Sequence, residues 1–423
     1  MLTPHPQRVA LHNEVHARPF EQLTAPLMLS HLALLTPPGD AAREHLNSLL
    51  RSRHLPLPAE GASYLSIDLG GLHLRWEKHT EFQTYTFWRA ERDSPESFGH
   101  PAVHDLPADW LAGLPGEWLV GLHLLVTAVD EPSGEALARA LLDPSSLVGS
   151  SVSDAQAQVY TDFRLDAEGY ARQVVRAGAI NPRRLGRTVQ RLLEVETYRM
   201  VALLGLPVAR NVAATLHDAE RDLAVVAADI QSAAQAEEPE LLRQLTQLAG
   251  GVESLYANTH ARLSASSAYF ELVQRRIGEL RETRHASLQM LGEFMERRLG
   301  PAMQTCAWAA RRQQALSERI ARISTLLRTR VEIEQQQTSQ GLLDAMNKRQ
   351  ETQLRLQNAV EGLSIAVVTY YCASLFAYLV KGAKASGLPV APDLAVALSI
   401  PLIAGAVWWG VRRLHRRAGL GAL

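Results

Sequence analysis

Two uncharged stretches near the C-terminus, Leu363 to Val380 and Leu394 to Val411, constrain this chain more than any other feature. Each holds about eighteen residues, enough for a helix to cross a hydrocarbon core of roughly 30 Å. The break between them, Lys381 to Asp393, is short and carries Gly382, Gly387, Pro389 and Pro392. That composition predicts an antiparallel hairpin with both outer ends on one side of a bilayer. Arg412, Arg413, His415, Arg416 and Arg417 follow the second stretch, and Lys348, Arg349 and Arg355 precede the first. The positive-inside rule therefore predicts two cytoplasmic ends, since the flanks outweigh Lys381 and Lys384 of the loop. The competing reading is a buried hairpin in a soluble protein.

Across 423 residues the hydrophobic share is 47% and the formal net charge −1, values under which two membrane spans are easily hidden. Near-neutral charge argues against nucleic acid as a main partner. Cys306 and Cys372 are the only cysteines and lie far apart, so neither a disulfide framework nor a cysteine zinc site is supported. The opening MLTPHPQRVALHNEVHARP has no apolar core of a signal peptide, so the N-terminal bulk is expected to stay cytoplasmic.

Residues 1–185 read as an α+β or α/β domain. Ala25 to Leu35 is an apolar run too short to span, a buried strand or helix, and Asp40 to Arg53 a helix with leucines on one face. Tyr64–Leu69 and Leu72–Lys78 flank a Gly70-Gly71 turn, and Phe82–Arg89 follows as a strand. Alternation puts Tyr85 and Phe87 on one of its faces and Phe82 and Trp88 on the other. Leu119–Thr127 is a further buried strand, and Ala157–Arg176 a hairpin turning at Asp166 to Gly169.

After Pro182 the periodicity is helical. Arg183–Leu204, Pro207 to about Ala236, and Pro239–Leu299 are expected helices within a bundle over 186–301, the third with Gly250-Gly251 as a point of interruption or continuous through it. Gly300-Pro301 is expected to end the third, and one stalk helix then runs through 302–358 into the hairpin and basic tail of 359–423. Leu316, Ile320, Ile323 and Leu327 have the 4-3-4 spacing of a coiled-coil seam, which predicts a homo-oligomer.

No nucleophile elbow, P-loop or dinucleotide fingerprint occurs, so an enzyme has no motif to stand on. His12, Glu14 and His16 are of the ligand types that hold a divalent metal ion, but their order is not that of zinc hydrolases. A polar segment packed across the domain, with Glu14 and Arg18 paired, is the alternative. His73, His79 and Glu81 offer a strand-borne metal site or a solvated polar face. In the first span Asn358, Glu361, Thr369 and Cys372 fall in one helical sector, candidates to line a pore. In the alternative, Asn358 and Glu361 sit at the interface level and Thr369 bonds its own backbone. Trp408 and Trp409 are interfacial anchors.

Several long stretches resemble a bacterial family of uncharacterised membrane-anchored proteins. They are LHNEVHARP (Leu11 to Pro19) with SHLALL, RWEKHTEF (Arg75 to Phe82), and LLRTRVEIEQQQTSQGLLDAMNKR with LRLQNAVEGLSIAVVTYY. The resemblance implies architecture and an inner-membrane location, without an activity. The layout, with LLDAMNKRQETQLRL before the span and GLP in the loop, is also similar to CorA-type divalent-cation transporters, which are homopentamers. That implies a pentameric channel or transporter with the first span lining the pore. Where that family has Gly-Met-Asn at the pore mouth, this chain has Gly382-Ala383-Lys384, and a ring of Lys381 and Lys384 would repel cations. A membrane-tethered scaffold presenting the N-terminal domain to a partner is the reading from another class.

Overall fold

Leu27–Leu35 (β1) is apolar on both of its alternating faces except at Ser30 and His31, and all but its last residue are buried. Such a strand belongs inside a sheet covered on both sides. The computed structural model, which describes residues 4–9, 12, 19–35, 39–91, 97–128, 133–232, 237–285, 287–385 and 391–418, places it there. β1 pairs antiparallel with β4 (Phe82–Ala90) and with β5 (Glu117–Thr127). The remaining strands are β2 (Tyr64–Asp68), β3 (His73–Lys78), β6 (Val148–Val152), β7 (Ala157–Leu165), β8 (Ala171–Arg176) and β9 (Thr283–Arg284). Their order is β2-β3-β4-β1-β5-β8-β7-β6-β9, antiparallel except for the β5–β8 pair. At the β2–β3 turn Gly70 and Gly71 have φ of 95° and 94°, and both backbone N–H groups donate to Asp68. Only glycine adopts that backbone without strain.

Alternation along the strands gives the sheet two cores. Trp76, Tyr85 and Phe87 join one, under α1 (Ala41–Ser52), α2 (Ala108–Ala112) and α3 (Gly134–Leu141). There Trp110 of α2 meets Tyr85 and Phe87 edge-on. Leu29, Leu122, Leu124, Val126 and Val175 join the other, with Leu185, Val189 and Leu192 of α4 (Pro182–Leu203). Each leucine so enclosed contributes about 2 kcal/mol. Asn181 caps α4 by accepting from the Arg184 N–H, with Pro182 in the first turn.

Two further helices follow: α5 (Gly205–Ser232), close to its expected bounds, and α6 (Glu238–Leu280), which starts where expected and is continuous through Gly250-Gly251. The next boundary differs from expectation. α6 ends at Arg281, whose φ is 49°, whereas Pro301 lies inside α7 (Leu291–Ala385). Tertiary bonds decide this. Thr283 and Arg284 pair with Ser151 and Ser150 at the sheet edge, Glu282 accepts from Ser150, and the Gly149 N–H donates to Gln289. A proline removes one helical hydrogen bond, fewer than the sheet-edge segment makes.

Contacts divide the chain into two units, Met1–Ser324 and Thr325–Leu423. In the first, α5, α6 and the start of α7 form a bundle. A Cβ on Gly205 would stand 2.3 Å from the Ser266 hydroxyl and 3.4 Å from Cys306 sulfur, and Arg312 pairs with Glu220. Leu316 and Ile320 are each 1% exposed in the single chain, and Ile323 is half-buried. The first half of the supposed coiled-coil seam therefore faces this chain's own core. It gives no argument for a second copy.

In the second unit α7 continues to Ala385, and α8 (Pro392–Ala418) follows. Ile365, Thr369, Ala373, Ala377 and Val380 of α7, and Ala395, Val396, Ser399, Ile403 and Ala404 of α8, are shielded at helical spacing while their neighbours are open. Small residues on both stripes let helices approach closely. Leu363, Tyr370, Leu375 and Leu402 are 65–75% exposed. Among the described residues, three helical stretches are long and apolar enough to cross a membrane: Pro182–Ser232, Leu291–Ala383 and Asp393–Arg413. The first comprises α4, whose apolar side packs on the sheet, and α5, which packs on α6.

Candidate functional site

The face of β3 carrying Arg75, Glu77 and His79 is opposite the one carrying Leu74 and Trp76. Together with β4, β1 and α4 it bounds a cavity of about 300 Å³. The sequence alternation left this face open to solvent, but the structure covers it with α4 and with Phe20 and Glu21 from the N-terminal segment. That segment passes so close that a Cβ on Gly186 would lie 1.8 Å from the Glu21 carbonyl oxygen. The Leu23 N–H donates to the Pro182 carbonyl beside it.

A polar chain crosses the cavity wall. Arg75, 5% exposed, donates to Gln190 of α4 at 2.9 Å and to Glu77 at 3.0 Å, with its guanidinium over the Tyr64 ring. Gln190 donates to Glu194, Glu194 pairs with Arg276 of α6, Arg276 with Glu279, and Glu279 with Arg191. Tyr64 donates to Glu21, and burial with that carboxylate pushes its hydroxyl up to about 12. On β1, His31 is bonded to Thr86 at 2.8 Å and Thr197 at 3.0 Å. Burial, reinforced by Arg75 and His79, lowers its pKa to about 3, so it is neutral and ties β1 to β4 and α4.

Two atoms of the lining are left over. Arg75 Nε and Thr84 Oγ1 are buried without a hydrogen-bond partner among the described residues. Native proteins pair almost all such groups, so these two call for a partner that the described residues do not supply. The far wall is apolar, with Leu29, Phe82, Trp88, Val189 and Leu193. Phe82 is stacked under His79 and flanked by Tyr198 and Tyr269, whose hydroxyls are raised by burial.

His73, His79 and Glu81 do not converge on a metal. His73 stacks on Trp88, His79 on Phe82, and Glu81 pairs with Arg262. Among the described residues no three His, Cys, Asp or Glu side chains stand close enough to hold an ion. His12 is exposed, while Glu14 and His16 lie outside the described residues. Asn358, Cys372 and Lys381 are exposed on α7, and Thr369 donates to the Ile365 carbonyl at 2.7 Å. The side chains of Glu361 and Lys384 lie outside the described residues. Sequence reasoning missed Gln190, Glu194 and His31, and singled out Arg75 only as part of the RWEKHTEF stretch, with no role at a site. The available signal was a basic residue set between Leu74 and Trp76, and a histidine inside an otherwise apolar run.

Arg75, Glu77, His79 and Phe82 all belong to the RWEKHTEF stretch, and the LHNEVHARP stretch ends one residue before Phe20. A family model described as "Protein of unknown function (DUF3422)" matches residues 3–418. No curated protein and no solved structure matches the chain.

Proposed function

The chain belongs to the DUF3422 family, and we propose that it is a membrane-tethered binding protein. The α7–α8 hairpin holds it in the bacterial inner membrane with both termini cytoplasmic, and the cavity beside β3 takes a small polar ligand. One observation carries the binding half: Arg75 Nε and Thr84 Oγ1, both on residues lining one cavity of about 300 Å³, are buried with no hydrogen-bond partner among the described residues. A ligand with a hydrogen-bond acceptor for Arg75 and an apolar body for the Phe82–Trp88 wall fits it. The exposed apolar surfaces of α7 and α8, and the stacking of Arg412 on Trp408 and Arg413 on Trp409, support the membrane half.

The test uses the full chain in detergent, screened by thermal unfolding against small carboxylates, amides and alcohols. At least one should raise Tm in the wild type and not in Arg75→Lys. A panel that stabilises both proteins equally, or neither, overturns the binding half. Release of the full chain from membranes by alkaline carbonate overturns the tether.

A second reading is a homo-oligomeric ion channel or transporter, a pentamer by its CorA-like layout. It is favoured by Asn358 and Cys372, polar groups left exposed by the hairpin stripe. On this reading Cys372 reacts with small water-soluble thiol reagents in intact membranes, and the detergent particle has the mass of several chains. A monomeric particle with no flux in liposomes removes it.

A further inference from the structure

A second cavity, of about 180 Å³, opens along the other side of α4 and is lined by Ser153, Arg184, Arg187, Arg191, Glu279 and Arg281. Arg184, Arg187 and Arg191 recur at spacings of three and four, which puts them on one face of the helix. The carboxylates present are shared. Asp154, beside the cavity, accepts from both Arg184 at 2.6 Å and Arg281 at 3.2 Å. Glu279 accepts from both Arg191 and Arg276. Arg187 has no acidic partner among the described residues. Four arginines of the lining thus face one lining carboxylate and the adjoining Asp154, and the concavity is net positive. Arg184 and Arg191 are held in place. Arg184 also donates to Gln156, and Arg184 and Arg191 are 29% and 24% exposed.

We infer that this cavity is a binding site for a phosphate-bearing anion, held by Arg184, Arg187, Arg191 and Arg281. Arginine forks match phosphate oxygens two at a time, and several converging on a concave site select that chemistry over a single small anion. The inference does not rest on the ligand cavity beside β3, but the two sites share a wall, because Arg191 and Glu279 line both. A phosphate that draws Arg191 away from Glu279 changes the neighbouring site as well. The anion is a free phosphate compound or a lipid headgroup, and the same chemistry serves both.

The test is calorimetric titration of the detergent-solubilised full chain at constant ionic strength. One titrant is inorganic pyrophosphate, the other dihexanoyl phosphatidic acid below its micelle concentration. Saturable binding of pyrophosphate is the result expected for a soluble phosphate ligand. Binding of the lipid alone assigns the site to a headgroup. In either case Arg187→Gln should weaken binding about tenfold, the effect of one lost charge-assisted bond. Its Tm should match the wild type, since Arg187 is exposed and supports no described ion pair. Absence of saturable binding by both titrants overturns the site, as does Arg187→Gln binding with wild-type affinity.

Discussion

Arg75 on β3 donates to the side-chain oxygen of Gln190 on α4 at 2.9 Å, so a buried guanidinium joins the sheet to the helix that covers it. The same group neutralises Glu77, whose side chain is only 14% exposed. Arg75→Ala should therefore destabilise the domain by about 3 kcal/mol, because Glu77 is left as an uncompensated buried charge. Arg75→Ala with Glu77→Gln should recover much of that loss. Urea unfolding of the three proteins checks it, and equal stability of the single and double variants would rule the pairing out.

Gly186 meets the N-terminal segment. A methyl group there would overlap the Glu21 carbonyl at 1.8 Å, and backbone on both sides leaves nothing flexible to yield. Gly186→Ala should force residues 20–23 off α4, costing on the order of 2 kcal/mol despite the better helix propensity of alanine. Limited proteolysis should cut the variant near Phe20 faster than the wild type. An unchanged cleavage rate with raised Tm would contradict the close approach.

Much of the sheet was legible because its signals are local. Gly70-Gly71 marks a turn, and Tyr85 and Phe87 do lie on the opposite face from Phe82 and Trp88. The weakly apolar α3 and the short β6 and β9 gave no comparable pattern. Gly300-Pro301 misled because propensity was outweighed by the sheet-edge bonds of residues 282–291. The seam at Leu316 and Ile320 misled differently. Its spacing is the same whether the facing helix belongs to a second copy or, as here, to the same chain. The site was half visible: the RWEKHTEF residues were singled out, but their partners Gln190, Glu194 and Arg276 lie more than a hundred residues away and no spacing rule connects them.

That burial makes Ile320 a stability residue of the single chain. Ile320→Asp should lower the stability of the helical bundle by about 3 kcal/mol or more, through a charge buried with no partner. Leu326→Asp, at a position 72% exposed, should be nearly neutral. Thermal unfolding of both variants separates them. If Ile320→Asp reduces particle mass while its Tm is unchanged, the residue faces another copy after all.

His31 and pH provide the last expectation. Folded, this imidazole holds a proton only below about pH 3, while in the unfolded chain it does so below about 6.5. Between those values the unfolded chain binds more protons, so acid favours unfolding. The contribution of His31 is complete above about pH 6.5 and is lost as pH falls toward about 3, the loss approaching the order of 4 kcal/mol at the bottom of that window. His123, bonded to Ser30 and stacked on Tyr170, is lowered to about 4 by burial and acts in the same direction. Replacing His31 with Gln removes its titration while keeping a polar group near Thr86 and Thr197. Urea unfolding of wild type and His31→Gln from pH 8 to pH 4 should show the stability difference between them shrinking as pH falls, because carboxylate titration is common to both and cancels. A difference that is constant across that range would mean that His31 keeps an ordinary pKa and that the cavity admits water to it.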